Sequence, residues 1–308
     1  MKILVTGGAG FIGSHVVDKY LEHNHQVIVV DDLSTGRLSN LNPLAKFYKL
    51  NINDPEIRRV FIDEKPEVIN HHAAQIDVRR SVADPKFDAE VNILGSLHLL
   101  ELAREFVVKK FIHISSGGAI YGEPVYLPCD ESHPVQPLSP YGASKYSFEL
   151  YLYIYKTIYN LEYTILRYAN VYGPRQDPLG EAGVVAIFTG QMLNNQPVTI
   201  NGNGEQLRDF IYVGDVAEAN LAALHLGNGS AYNLGVGEGT SITRIFNELS
   251  RITNYPHEAK YGPPKAGEAY KIFLDTTKAR DELNWEPKVD LKTGLENTVQ
   301  YFIKNRSG

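Results

Sequence analysis

Short β-branched and aromatic runs alternate with helix-length stretches through the first two-thirds of the chain. KILVTG, QVIVVDD, KFYKLN, EVINHHA, KKFIHISS and EYTILRYANV each stand between longer segments. This alternation predicts a parallel sheet covered by helices on both faces, because strands buried on both sides read as near-continuous apolar runs. Right-handed crossovers make a doubly wound, Rossmann-like α/β sheet the expected arrangement. Past Gly173 the pattern changes: GPRQDPLGEAGVV is rich in Gly and Pro and lacks strand alternation, as expected of a long loop entering a smaller C-terminal substrate lobe. The expected division is therefore residues 1–173 for a cofactor-binding domain and 174–308 for the lobe, with SAYNLGVG near 230–237 returning to the main sheet. Within the lobe the pattern predicts helices near Ala186–Asn194, Val213–Leu226 and Thr240–Thr253, a strand in PVTINGNG, and a helix in TTKARDELNWEP ended by Pro287.

The first strand runs directly into VTGGAGFIGSH, which places Gly7, Gly10 and Gly13 at three-residue spacing ahead of a helix. Glycines there allow a tight turn, close approach of backbone to a pyrophosphate, and close contact of helix and strand. The helix N-terminus, at Phe11 and Ile12, then presents unpaired N–H groups to the phosphates. The second strand ends in Asp31 and Asp32, about twenty residues beyond the last glycine, where a carboxylate accepts from a ribose and repels a 2′-phosphate. The cofactor expected is NAD rather than NADP. Arg37 lies in the following loop and is expected to be solvated.

Composition narrows the remaining classes. Hydrophobic residues make up 43% of the 308 and charged residues 21%, the profile of a folded globular chain. The formal charge is −6 and no basic tract occurs, which argues against nucleic acid as a partner. Cys129 is the lone cysteine, so no intramolecular disulfide can form and a reducing compartment is expected. The apolar burst at the start is too short for a signal peptide and no run reaches membrane-spanning length, so a cytoplasmic protein without membrane association is expected. His71 and His72 are adjacent on a strand and would face opposite ways, so no metal site is expected.

Tyr141 and Lys145, in SPYGASK, stand four residues apart, one turn along a helix. An ammonium near a phenol favours the phenolate, and so would an oxidised nicotinamide ring, which makes Tyr141 a candidate base. With the glycine loop, these residues resemble the extended short-chain dehydrogenase/reductase superfamily. TGGAGFIGSH, HHAAQ, VNILGS, SPYGASK, LRYANVYGPR, RDFIYVGDV and YNLGVG stand in the order found in its UDP-glucose 4-epimerases, across nearly all of the chain. The resemblance implies an isomerase that oxidises a UDP-hexose at C4 with NAD, rotates the 4-keto sugar and returns the hydride to the opposite face. Tyr141 would exchange the 4-hydroxyl proton and Lys145 would hold the nicotinamide ribose. Ala73, Ala74 and Asn92 would line the nicotinamide half, and Asn51 and Ile52 the adenine half. A homodimer through the helix starting at Tyr141 is also implied, that helix being apolar or aromatic on nearly every side; a monomer whose face is covered by Asp88–Phe106 is the alternative.

The family places a Ser or Thr four residues before the tyrosine of a Tyr-Gly pair. Here the pair is Tyr121-Gly122 and the position holds Gly117, with Ser116 beside it. Alternation along the strand turns Ser116 away unless the Gly117-Gly118 pair bends the chain. Three outcomes stand open: Ser116 swings in, a water takes the place of the hydroxyl, or the protein binds without turnover.

On the substrate side, the resemblance assigns Asn170 and Arg208 to the diphosphate, and Gly183, Val184 and Phe188 to a segment closing over the uracil. Lys265 and Glu268 replace the arginine and aspartate of the family's Arg-x-Gly-Asp, and Phe210 replaces a common tyrosine. Ile272 occupies the position whose bulk governs entry of an N-acetyl group. Epimerases of UDP-N-acetylhexosamines or UDP-uronates and a non-catalytic nucleotide-sugar sensor are the competing readings. A 4,6-dehydratase would need an acid pair where Gly118 and Ala119 stand.

Overall fold

The computed structural model describes residues 1–178, 183–264 and 269–305. Seven strands form the main sheet: β1 (Lys2–Thr6), β2 (Gln26–Asp31), β3 (Lys46–Lys49), β4 (Val68–His71), β5 (Lys110–Ser116), β6 (Glu162–Tyr168) and β7 (Ser230–Leu234). Their order is β7-β6-β5-β4-β1-β2-β3, and every pairing is parallel. The sequence reverses direction between β1 and β4, which opens a crevice at the carboxyl ends of those strands.

Helices α1 (Phe11–Glu22), α2 (Ile57–Glu64), α3 (Val78–Ala83), α4 (Pro85–Ala89), α5 (Ser96–Glu105), the single turn α6 (Gly117–Ile120) and α7 (Pro140–Tyr159) follow through the first part of the chain. A π-helical turn, Glu90–Gly95, joins α4 to α5. Strand residues divide between the two layers as the pleat requires. Ile3 and Val5 pack with Val16 and Val17 of α1, whereas Leu4 packs with Phe61, Leu99 and Phe148 of α2, α5 and α7. Each such fully buried side chain contributes about 1.5–3 kcal/mol.

Beyond β6 the chain adds α8 (Val184–Leu193), α9 (Val213–Ala223), α10 (Ile242–Thr253), α11 (Thr277–Leu283) and α12 (Leu291–Lys304). Of these, α9 packs on α1 against the main sheet, and α8, α10 and α12 enclose a core of their own. The run EYTILRYANV is divided: β6 stops at Tyr168, and Asn170–Tyr172 pairs instead with Phe210–Tyr212. Helix α11 ends at Asn284, in left-handed conformation with φ 51°, three residues ahead of Pro287. Asparagine tolerates that conformation, so the cap terminates the helix before proline has to.

One buried carboxylate ties the end of β7 to the segment at Leu274. Asp209, 1% exposed, accepts from the N–H groups of Val236, Gly237 and Leu274 at 2.7, 3.1 and 3.2 Å. Burial pushes its carboxyl up to about 6 despite those donors. A Cβ at Gly235 would lie 2.2 Å from its Oδ2, so glycine is required where β7 leaves the sheet.

Candidate active site

The glycine loop follows β1 as a backbone cradle. Gly7 adopts φ 69°, and a Cβ there would meet the backbone of Ala73 at 2.6 Å; one on Gly13 would meet the Gly7 carbonyl oxygen at 2.3 Å. Gly10 caps α1 without a side chain, which leaves the first N–H groups of the helix, at Phe11, Ile12 and Gly13, facing outward for an anion. Asp31 orders this loop: its Oδ2 accepts from Ala9 N at 2.9 Å and its Oδ1 from Leu33 N at 2.8 Å. Burial raises its pKa above the usual carboxylate value. Asp32 accepts from the amide of Asn51 at 2.7 Å, while the Asn51 oxygen accepts from Asn53 N, so Asn51 acts first as a brace for the acid. Ile52 is buried beside Gly95. A dinucleotide fits this chemistry: backbone donors for a pyrophosphate, carboxylates for a ribose, and no room for side chains in between.

Arg37 is not simply solvated. Its guanidinium pairs with Asp177 at 2.6 Å, Arg175 pairs with Asp18 at 2.7 Å, and the His15 ring donates to the Pro174 carbonyl at 2.9 Å. The loop beyond Gly173 is thereby fastened to α1 and to the loop after β2.

The carboxyl ends of β4 and β5 supply the floor. His71 is held through both ring nitrogens, Nδ1 to Thr6 Oγ1 at 2.7 Å and Nε2 to Ser96 Oγ at 2.8 Å. Ser96 donates its own proton to Asn92 O, so it must accept from His71 Nε2–H, and Thr6 donates to Nδ1. Burial, with Lys145 nearby, keeps this imidazole neutral. It is a structural link between β1 and the turn bearing Asn92, with no nitrogen left for a metal. Ala73 N donates to Thr6 Oγ1 at 3.3 Å, which fixes the start of the Ala73-Ala74 loop.

Helix α7 brings Tyr141 and Lys145 over β5. Ser139 caps it by accepting from Gly142 N, and Pro140 occupies its first position, the combination expected of a helix start. Lys145 is 4% exposed and donates to the Ile114 carbonyl at 3.0 Å. Burial lowers its pKa to about 8, against the raising charges of Asp88 and Glu149. Burial pushes the Tyr141 phenol up to about 12; the Ser116 hydrogen bond lowers it and the Asp88 charge raises it.

Ser116 reaches the phenol because the chain bends where α6 begins. The residue itself is extended, with φ −133° and ψ 104°, and Gly117 opens the helical turn. A Cβ on Gly117 would lie 2.6 Å from Leu274 Cδ1, away from Tyr141. The hydroxyl beside the phenol thus comes from the residue preceding the position the family pattern specifies.

The model of the NAD dependent epimerase/dehydratase family matches residues 3–235. The chain belongs to that family. It is 50% identical over 303 residues to a putative UDP-glucose 4-epimerase of Methanocaldococcus jannaschii, covering 98% of this chain and 99% of that one. It is 44% identical over 313 residues to the UDP-glucose 4-epimerase of Mycolicibacterium smegmatis, covering all of both. The crystal structure of the Thermotoga maritima UDP-glucose 4-epimerase with UDP-glucose superposes with a TM-score of 0.98 at 54% identity, covering 99% of this chain and 100% of that one. NAD is the cofactor of this epimerase family.

The residues expected on the substrate side all lie beyond β6 in the chain. Asn170 N bonds Asp209 O at 2.9 Å, and its side-chain oxygen faces Gly118, 3.9 Å from where a Cβ would stand. Arg208 lies on a short strand between Thr240–Ser241 and Lys271–Ile272, with its guanidinium near Leu207 O and Tyr270 O at 2.9 and 3.3 Å. Ile272 pairs with Arg208 and packs with Ile120, Tyr121, Cys129 and Leu274. Phe210 packs edge to face with Tyr172 at 6.4 Å. Gly183 caps α8 and Val184 sits at the margin of the lobe core. Phe188, in the segment expected over the uracil, is 3% exposed and packs edge to face with Phe246 at 6.3 Å. Lys265 and Glu268 lie outside the described residues.

Two features escaped the sequence pattern. Arg167 on β6 forks onto Glu149 of α7, Nε to Oε1 at 3.1 Å and Nη2 to Oε2 at 2.6 Å, with both side chains under 8% exposed. Ser115 donates to the same carboxylate at 2.6 Å, and Arg167 Nη1 donates to Tyr121 Oη at 2.9 Å. Asp88, 1% exposed, stands four residues before Asn92. The four-residue steps Tyr141, Lys145, Glu149 and Asp88, Asn92 were the available signals, each placing a pair on one helical face.

Proposed function

We propose that this protein interconverts UDP-glucose and UDP-galactose by reversible oxidation at C4 with NAD. The observation that carries the reading is the convergence of Ser116, Tyr141 and Lys145 at the end of β5, beside a glycine cradle of dinucleotide form. NAD held in the cradle would supply the acceptor, and then the donor, of the C4 hydride. Tyr141 takes the 4-hydroxyl proton as the hydride leaves and returns it once the 4-keto sugar has presented its other face, so there is no net redox change. Ser116 hydrogen-bonds the phenol oxygen, and a donor there favours the phenolate. Lys145 holds the ribose hydroxyls and supplies a positive charge in a low-dielectric site. Burial pushes the phenol up to about 12, and the positive charge that a bound oxidised nicotinamide would supply acts to lower it. Gly7, Gly10, Phe11, Ile12 and Gly13 bind the pyrophosphate. Asp31, Asp32, Asn51 and Ile52 take the adenosine half, and Ala73, Ala74 and Asn92 the nicotinamide half. Asn170 and Arg208 engage the UDP diphosphate, where a guanidinium offers paired donors.

The proposed division is a cofactor domain of residues 1–173 joined by the strand near 230–237, and a sugar-nucleotide lobe of 174–308. A second copy of the chain is the proposed partner. Helix α7 turns Phe148 and Leu152 inward, yet leaves Leu150, Tyr153, Ile154 and Ile158 at 51, 63, 41 and 63% exposure, so α5 and its neighbours do not cover it. A contiguous apolar face of this kind marks an interaction site. No helix among the described residues is long and apolar enough to cross a membrane, and the cytoplasm is the proposed location.

A coupled assay of UDP-galactose conversion tests the reading. Wild type is expected to turn over. Tyr141→Phe is expected to fall about 10²–10⁴-fold, the usual contribution of a positioned acid–base, and Ser116→Ala about tenfold, the value of one hydrogen bond. Full activity of Tyr141→Phe would overturn the mechanism. Turnover of UDP-N-acetylglucosamine or a UDP-uronate in place of UDP-galactose would move the substrate assignment.

A further inference from the structure

Beneath the catalytic pair lies a buried carboxylate for which the mechanism above has no use. Asp88, on α4, accepts through Oδ1 from Asn92 Nδ2 and from Gln75 Nε2, both at 3.0 Å. Asn92 also donates to Gln75 O at 2.9 Å and to Ser144 Oγ at 3.3 Å, and accepts from Gln75 N at 2.9 Å. Ser144 in turn donates to the Tyr141 carbonyl at 2.9 Å. The cluster therefore joins the loop after β4, the π-helical turn and the first turn of α7, the three segments that frame the reactive end of the cofactor. Asp88 Oδ2 is buried and has no hydrogen-bond partner among the described residues. A buried carboxylate with one bare oxygen is costly unless a nearby cation compensates it, and the ammonium its field reaches is Lys145.

We propose that Asp88 is a positioning residue for the reaction. Its carboxylate locks the Gln75–Asn92–Ser144 junction and supplies the buried negative charge against which Tyr141 and Lys145 hold their protons. This rests on the reading of Tyr141 as the base. The Asp88 charge acts on Lys145 and on Tyr141 in the same direction, raising both, whereas a cationic ring bound nearby would lower Tyr141. The other charged and titratable groups packed around the pair are Glu149 on α7, neutralised by Arg167 of β6, and Arg79 and Arg80 on α3, the latter over the Phe87 ring at 3.8 Å. His71 and His72 at the end of β4 and His113 on β5 are all kept neutral by burial. Asp77 and Asp84 cap α3 and α4 by accepting from Arg80 N and Phe87 N, Lys86 lies on α4 itself, and Tyr163 on β6, Glu90 in the π-helical turn and Glu101 on α5 lie on neighbouring elements, Glu101 being engaged by Tyr155 and Arg104.

Asp88→Asn separates charge from geometry, because the amide oxygen keeps both accepted hydrogen bonds and the NH2 replaces the bare Oδ2. The sign follows from the fields described. Asp88 raises both Tyr141 and Lys145, so its loss lowers both, and the acid and alkaline limbs of the rate profile both move to lower pH. A shift of roughly 1 unit is expected for loss of one nearby charge. The same displacement is expected in an ultraviolet titration of tyrosinate, taken as wild type minus Tyr141→Phe and again as Asp88→Asn minus Asp88→Asn/Tyr141→Phe, with NAD present. Asp88→Glu should restore both limbs. Asp88→Ser carries the same prediction if Asp88→Asn fails to fold. Limbs that stay in place, whether or not the rate falls, would overturn the proposal and leave Asp88 a packing residue. An undiminished rate in Tyr141→Phe would instead overturn the assignment of the base, so the two failures are distinguishable.

Discussion

The cofactor cradle and the catalytic floor share the carboxyl ends of β1, β4 and β5 but are built in opposite ways. The cradle is backbone: glycines at positions 7, 10 and 13 exclude side chains, and even Asp31 spends its oxygens on the N–H groups of Ala9 and Leu33. The floor is side chain: Lys145, Glu149 and Tyr141 from α7, Arg167 from β6, Ser115 and Ser116 from β5, and Asp88 from α4. Backbone donors hold an anion without any change of protonation, whereas the floor has to hold charges whose balance shifts as the proton moves. The first region is specified by local spacing, the second by contacts between residues far apart in the chain.

If that contrast holds, the floor should fail most severely when one buried charge loses its partner. Arg167→Met leaves the Glu149 carboxylate buried with Ser115 as its remaining donor at that site, and breaking such a pair costs about 3–5 kcal/mol. Chemical denaturation is expected to show that loss, and Arg167→Met/Glu149→Met to recover much of it, since two apolar side chains bury no unpaired charge. A double variant no more stable than the single would mean that the ion pair is secondary to packing around Tyr121.

The cradle should fail through space alone. An alanine at Gly13 brings its Cβ to 2.3 Å from the Gly7 carbonyl oxygen, a backbone atom that cannot rotate away. Gly13→Ala is expected to cost about 3 kcal/mol, at the upper end of ordinary single substitutions. Expressed in the cradle, that is about a hundredfold in NAD affinity, measured by calorimetry on protein stripped of cofactor. Unchanged affinity would show that the loop can open without losing its donors.

The same contrast governs what could be read from the sequence. The alternating runs specified all six strands from β1 to β6 in order, and the glycine spacing with Asp31 pointed to a dinucleotide, because these signals lie within one supersecondary unit. The break after Tyr168 was hidden: YANVY is apolar and continuous with β6, and only Asp209, forty residues on, pulls Asn170–Tyr172 into a separate pairing. Glu149 was overlooked because its partner Arg167 sits on another element, eighteen residues away. Phe188 packs in the core formed with Phe246, and its place in a loop-to-helix segment suits a lid as well as it suits a core. The side on which the hydroxyl stands was left open, since alternation argued one way and the glycine pair the other.

That last point gives the smallest and sharpest test. If residue number along the strand set the position of the hydroxyl, Gly117→Ser would return it to the family's usual place and rescue Ser116→Ala. The structure predicts otherwise: the new Cβ would stand 2.6 Å from Leu274 Cδ1, and Leu274 is 1% exposed among Ile120, Cys129 and Ile272. Overpacking of that kind costs about 1–3 kcal/mol, and the added hydroxyl points into the apolar cluster rather than toward Tyr141. The Ser116→Ala/Gly117→Ser variant is therefore expected to melt below Ser116→Ala and to turn over UDP-galactose no faster. A gain in kcat over Ser116→Ala would mean that the helical turn at Gly117 can rotate to present either residue, so that its geometry, rather than the position of the serine, adapts to the reaction.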